Sequence, residues 1–258
     1  MDMKKFYDQA FYDAQKQGSF RSAQKYFAFL WPTFAPTSVI DLGCGAGTWL
    51  KAAGDLGAKR LVGCDGPWNS QANMIDGRIA FTPVDLDGQL PIQERFDLSM
   101  SLEVAEHLKP ESSGQFVKSL TALSDVVLFG AAYVGQGGTN HINERLHSDW
   151  ASMFDAQGYG VFDLFRETFW NSDEVDTCYI QNAFLYVKRS SPLYGTLADK
   201  GIRELRNLAF LNCVHPVLYE VARKKGRSLR QKLCRPPGQL MQSIRKECRK
   251  VLPKALRK

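Results

Sequence analysis

Residues Val39–Trp49, VIDLGCGAGTW, restrict the fold of this chain more than any other stretch. An apolar pair, Val39 and Ile40, leads to Asp41, and glycines follow at 43, 45 and 47. A helix-compatible segment, TWLKAA, comes next. The order predicts a buried strand, a glycine turn and a helix opening. Glycine is used where backbone takes positive φ or lies close to a ligand. The turn also aims helix N–H groups at whatever sits there. A dinucleotide fingerprint would read G-x-G-x-x-G; here the glycines fall two apart, with an acid two residues before the first. A plain βα turn without a ligand would carry the same three glycines, so the rest of the chain has to decide.

The following segments keep the alternation of strand and helix. Gly57 stops the first helix, and Lys59–Cys64 reads as a second strand ending at Asp65. An acid about 20 residues beyond such a turn is placed for a ribose hydroxyl pair; the alternative is a turn aspartate before Gly66 and Pro67. Trp68 either shields the site or belongs to the core. Ile79–Pro83 is a third strand, followed by Asp85, Leu86 and Asp87. Arg95–Leu102 is a fourth, running into Glu103–Leu108, EVAEHL. Glu111–Leu123 reads as a helix and Asp125–Gly130 as a fifth strand. The glycine-rich loop 131–145 is placed at the carboxyl edge of the sheet, where open α/β sheets bind ligands. Asp149–Gln157 is expected to be helical, and Val161–Arg166 with Tyr179–Lys188 to form a final antiparallel hairpin. Upstream, Phe20, Ala23, Tyr26, Phe27 and Leu30 recur at helical spacing over Ser19–Leu30.

VIDLGCGAGTW resembles motif I of the class I S-adenosylmethionine-dependent methyltransferases, and FDLSMSLEVAEHL resembles motif IV of the subgroup that includes the ubiquinone-biosynthesis O-methyltransferases. The resemblance spans roughly residues 20–188. It implies a Rossmann-like three-layer α/β sandwich with a mostly parallel seven-stranded sheet, and S-adenosylmethionine as cofactor. In that family the glycine turn lies against the amino-acid end of the cofactor. Gly43, Cys44, Gly45 and Gly47 would then line it, with the Asp41 carboxylate near an ammonium. Asp65 and Gly66 would hold the ribose, Asp85 the adenine amino group, and the Leu86 N–H a ring nitrogen. Ser101, on the fourth strand, joins the expected cofactor set.

Methyl transfer to oxygen requires the acceptor to lose a proton, and imidazole titrates near neutral pH. His107 and His141, on adjacent active-edge loops, are the candidate bases, with Glu103 beside them. His147 reads as a helix-start residue, and His215 lies outside the domain. Strings like E-x-x-E-H in the ubiquinone O-methyltransferases and in small-RNA 2′-O-methyltransferases are associated with a divalent cation. Glu103, Glu106 and His107 are therefore candidate ligands for Mg²⁺ or Mn²⁺, with His141 as a fourth. The bland alternative is that Glu106 caps or salt-bridges locally and only His107 faces the site.

Charge divides the chain. Residues 1–190 carry a net −7 and residues 191–258 a net +13. The expected domains are a cofactor-binding domain over 1–190 and a basic, helical extension over 191–258. Within the latter, Gly195–Ala222 is expected to be helical with a break at Pro216, and Gln239–Leu252 to be a basic amphipathic helix. Such helices suit anionic membrane surfaces or partner grooves, so peripheral contact through 223–258 is expected; nucleic acid is the weaker partner reading. No apolar stretch is long enough to span a bilayer, the N-terminus lacks an apolar signal region, and the six cysteines form no metal spacing. A cytoplasmic enzyme, held at most peripherally at the inner membrane surface, is the expectation. The function expected is methylation of a hydroxyl on a small molecule or on a glycan or lipid-linked sugar precursor. RNA 2′-O-methylation and a non-catalytic cofactor-binding scaffold are the alternatives.

Overall fold

The computed structural model describes residues 9–233. In chain order the elements are α1 (Gln9–Leu30), β1 (Ser38–Leu42), α2 (Thr48–Asp55), β2 (Arg60–Asp65), β3 (Ile79–Pro83), β4 (Leu98–Leu102), α3 (Ser113–Leu123), β5 (Val126–Gly130), α4 (His147–Asp155), β6 (Tyr159–Phe162), α5 (Arg166–Phe169), α6 (Thr177–Asn182), β7 (Ala183–Lys188), α7 (Pro192–Asp199) and α8 (Pro216–Leu233). Short 3₁₀ turns occupy Ala105–His107 and Leu208–Asn212.

The seven strands form one sheet in the order β3-β2-β1-β4-β5-β7-β6. The first five are parallel. β7 runs antiparallel to both β5 and β6, so the sheet is mixed. β1, β4, β5 and β7 are buried almost throughout, as strands covered on both faces must be. One face packs Tyr26, Phe27, Trp49, Leu50 and Ile180. The other packs Phe116, Leu120, Trp150 and Phe154. The strand order reverses between β1 and β4, and the crevice at that switch point is where an open α/β sheet takes a ligand.

Two expectations shift. Tyr179–Lys188 is not strand throughout: Thr177–Asn182 is a helical turn and the strand starts at Ala183. The helical turn buries Tyr179 and Ile180 in succession and lets Tyr26 Oη donate to the Tyr179 carbonyl at 2.8 Å. Likewise Val161–Arg166 gives way to a strand ending at Phe162, with Arg166 opening α5. The chain divides into two compact units, 1–215 and 216–258. The first therefore runs past residue 190, where the charge changes. Leu197 and Leu211 are fully buried. The Arg166 guanidinium donates to the carbonyls of Leu211 at 2.9 Å and Cys213 at 3.3 Å, which holds 208–213 on the body. In place of one helix over Gly195–Ala222 there are α7, the 3₁₀ turn and α8, whose first residue is Pro216. In the second unit, α8 exposes Val217, Tyr219 and Val221. The amphipathic segment Gln239–Leu252 lies outside the described residues.

Candidate active site

The glycine turn takes the predicted form. Gly43, Gly45 and Gly47 have φ of 88°, 54° and 79°. The N–H groups of Gly43 and Cys44 both donate to the Cys64 carbonyl, at 2.7 and 3.0 Å, which ties the turn to β2. A side chain on Gly43 would collide with Val104, whereas one on Gly45 would meet nothing within 4 Å. Gly45 thus leaves its space to the cleft. Above the turn, Ser19 of α1 shares a hydrogen bond with Thr48 at 2.8 Å and accepts one from Tyr179 Oη at 3.1 Å.

A cleft of about 660 Å³ opens at the carboxyl edge of the sheet. Asp41, Gly43, Cys44, Gly45, Asp65, Asp85, Leu86, Glu103 and His107 all line it, as expected. Five expected residues do not: Glu106 and His141, described below, and three of the cofactor set. Ser101 is fully buried and donates to the Leu42 carbonyl at 2.7 Å, joining β4 to β1. Gly47 is the N-cap of α2, packed where a Cβ would lie 2.6 Å from Ile79. Gly66 gives its N–H to Asp65 Oδ1 at 2.7 Å and lies under the Trp68 ring, which itself borders the cleft. Strand-interior and turn-underside contacts surround these three positions.

Asp65 is the hub of the cleft floor. Its Oδ2 accepts the Gly45 N–H at 2.9 Å and the Asn69 Nδ2–H at 3.3 Å. Burial raises its pKa against these donors. Burial, and then the neighbouring Asp65 charge, pushes Asp41 well above the ordinary carboxylate range. Two buried carboxylates facing one cleft suit a cationic, polyhydroxylic ligand.

At the other end, Glu103 has φ of 58°, rare for a non-glycine residue, and its N–H donates to the Gly130 carbonyl at 2.9 Å. Its carboxylate accepts from Asn182 Nδ2 at 2.8 Å. Burial raises its pKa to about 7. Glu106 is 1% exposed, and its Oε2 is buried without a hydrogen-bond partner. Burial, then the Glu103 charge, drives its pKa far up. His107 Nδ1–H donates to the Asn140 carbonyl at 3.2 Å; burial, with His141 next in effect, lowers its pKa. The His141 ring stands edge-on to His107, centroids 4.9 Å apart, behind the cleft wall. The Glu106 carbonyl accepts the N–H groups of Ile142 and Asn143, at 2.9 and 3.0 Å, so the two loops hold fixed register.

Donor atoms of Glu106, His107 and His141 lie within 4.8 Å of one another. Of the expected ligands Glu103, Glu106 and His107, with His141 as a fourth, the last three form this group, and Glu103 lies outside it, accepting from Asn182. Glu106 makes no salt bridge among the described residues, and its carboxylate accepts the backbone N–H groups of Glu106 itself and of Ala132. Sequence reasoning passed over Asn182, Asn69, Tyr179 and Glu144, polar residues at loop or helix ends without a motif. The one available signal was the polar end of loop 131–145.

A family model for methyltransferase domains matches residues 12–171. No curated protein sequence matches the chain. Among solved structures, the methyltransferase domain of a bacterial Hen1 protein, CtHen1-C, superposes with a TM-score of 0.51 at 17% identity, over 65% of this chain and 97% of that one. The methyltransferase from Haloferax volcanii, solved with its Trm112 activator, gives 0.52 at 18% identity, over 70% and 94%. An O-methyltransferase from Nostoc punctiforme gives 0.51 at 12% identity, over 69% and 59%. At these identities the likeness is one of fold.

Proposed function

Because the chain belongs to the class I S-adenosylmethionine-dependent methyltransferases, we propose that it is an O-methyltransferase acting on a hydroxyl of a small molecule or of a glycan or lipid-linked sugar precursor. The observation that carries this reading is that Glu103 and His107 line a cleft that also takes in Asp41, Asp65 and the glycine turn, while Glu106 and His141 bring donor atoms within 4.8 Å of His107. The cleft fits the cofactor. Gly45 leaves it room, Asp65 keeps one acceptor position for a ribose hydroxyl beside those taken by Gly45, Gly66 and Asn69, and a bound ammonium would offset the burial that disfavours the Asp41 carboxylate. Asp85 and the Leu86 N–H are left for the adenine.

The cofactor supplies an electrophilic methyl group, so the chain's own task is alignment and proton removal. Glu103, with a pKa of about 7, takes the hydroxyl proton as the oxygen–methyl bond forms and the methyl–sulfur bond breaks. Asn182 holds its carboxylate toward the cleft. Glu106, His107 and His141 would hold a divalent cation, which would satisfy the unpartnered Glu106 Oε2 and acidify a bound hydroxyl. Among the described residues no helix is long and apolar enough to cross a membrane. The basic stretch 223–258 supports peripheral contact with an anionic surface.

The test is transfer of labelled methyl from S-adenosylmethionine into panels of small hydroxyl compounds, sugar precursors and RNA, with and without EDTA. Label in a methyl ether of the first two panels, lost on chelation and restored by Mg²⁺ or Mn²⁺, is the expected result. Label on nitrogen or carbon overturns O-methylation. Label in RNA alone overturns the acceptor class, and indifference to EDTA overturns the cation.

A further inference from the structure

Glu144 carries no motif, yet the loop before it closes around its carboxylate. Oε2 accepts the Gly135 N–H at 2.8 Å, and Oε1 accepts the Gly137 N–H at 2.6 Å. Gly135 and Gly137 have φ of 83° and 71°, so the loop turns twice through the left-handed region to aim both N–H groups at one side chain. Oε1 also meets His141 Nδ1 at 2.9 Å. A side chain on Gly138 would collide with the far edge of the His141 ring, so the absence of one leaves that ring its place.

We propose that Glu144 is the positioning residue that prepares His141 to bind a divalent cation; the inference rests on the cation reading above. An ionised carboxylate only accepts hydrogen bonds, so His141 Nδ1 carries the proton. In the neutral ring the lone pair then lies on Nε2, and a donor atom of His141 lies within 4.8 Å of donor atoms of Glu106 and His107. A carboxylate behind a ligating imidazole fixes its tautomer and raises its basicity. The pair is largely shielded, with the His141 and Glu144 side chains 12% and 16% exposed, so water does little to weaken it. A glutamate that merely closed a surface loop would be served by the two glycine N–H groups and would need no histidine.

The test is Mn²⁺ binding by the full chain, followed by electron paramagnetic resonance of free Mn²⁺ in the presence of S-adenosylhomocysteine. Wild type, Glu144→Gln, His141→Ala and the double variant form the cycle. Glu144→Gln is expected to weaken Mn²⁺ about tenfold and to cost nothing further on top of His141→Ala. An equal loss in both backgrounds, or wild-type affinity in Glu144→Gln, overturns the proposal. Absence of Mn²⁺ binding by a wild type that still binds S-adenosylhomocysteine overturns the cation reading itself, and this inference with it. Should Glu144→Gln fail to bind S-adenosylhomocysteine, the same cycle with Glu144→Asp decides by the same criteria.

Discussion

The backbone N–H of Gly45 donates to Asp65 Oδ2 over 2.9 Å, binding the glycine turn to the end of the neighbouring strand. One carboxylate therefore shapes the turn and, in the proposed reading, keeps one acceptor position for the ribose. Asp65→Ala is expected to weaken S-adenosylhomocysteine about thirtyfold, the worth of one charge-assisted hydrogen bond at roughly 2 kcal/mol. Calorimetric titration measures it; unchanged affinity would remove Asp65 from the cofactor site.

The glycines of the same turn separate by what a methyl group would meet. Gly43→Ala drives a Cβ into Val104 at positive φ, so loss of stability by about 2 kcal/mol or more is expected. Gly45→Ala meets no protein atom within 4 Å. Its melting temperature should fall less than that of Gly43→Ala, through the left-handed φ of 54° alone, while cofactor affinity drops at least tenfold. Equal effects in the two variants would mean that Gly45 does not face the cofactor.

Glu103 sets a pH dependence in two ways. As a base it must be ionised, so kcat should rise with pH along a limb centred at about 7. Glu103→Gln should flatten that limb and lower kcat about a hundredfold or more while leaving S-adenosylhomocysteine affinity in place. Stability runs the opposite way. A carboxyl raised from 4.5 to about 7 by burial favours the fold fully below pH 4.5, and that contribution is lost as pH rises through 7. Glu103→Gln should then be more stable than wild type at pH 8, by up to about 3 kcal/mol, and equal to it at pH 4. Melting curves at both pH values check the sign.

Much of this was legible before the fold was seen, for identifiable reasons. Gly43, Gly45 and Gly47 announce positive φ, the apolar pair before Asp41 announces a buried strand, and Asp65 follows at the distance one βαβ step requires. What escaped depends on tertiary closure. Ser101 was expected in the cofactor set, and its side chain donates to the Leu42 carbonyl. Tyr179–Asn182 reads as the start of a strand, but it forms a helical turn in which the Tyr179 carbonyl accepts from Tyr26 of α1. Glu106 and His141 share one cluster because the Glu106 carbonyl pins the second loop, a bond no spacing reveals.

The boundary between body and extension yields the last expectation. Charge changes sign at about residue 190, but packing continues to His215, whose N–H donates to Gln181 Oε1 at 2.6 Å. A chain ending at 190 would uncover the sites filled by Leu197 and Leu211 and leave the buried Arg166 guanidinium without the Leu211 and Cys213 carbonyls. Asp163 would still pair with that guanidinium at 2.7 Å, but hydrogen bonds from a charged donor, at about 1.5–3 kcal/mol each, together with the uncovered apolar sites amount to a large fraction of a domain's stability. Truncation after 190 should therefore abolish cooperative unfolding and S-adenosylhomocysteine binding, while truncation after 215 preserves both. Arg166→Met in the full chain should lower the melting temperature without moving the Kd for S-adenosylhomocysteine, since Arg166 lies away from the cleft lining. If the 215 truncation binds cofactor but no longer associates with anionic vesicles, the electrostatic role belongs to 216–258; equal vesicle binding by both would assign it to the body.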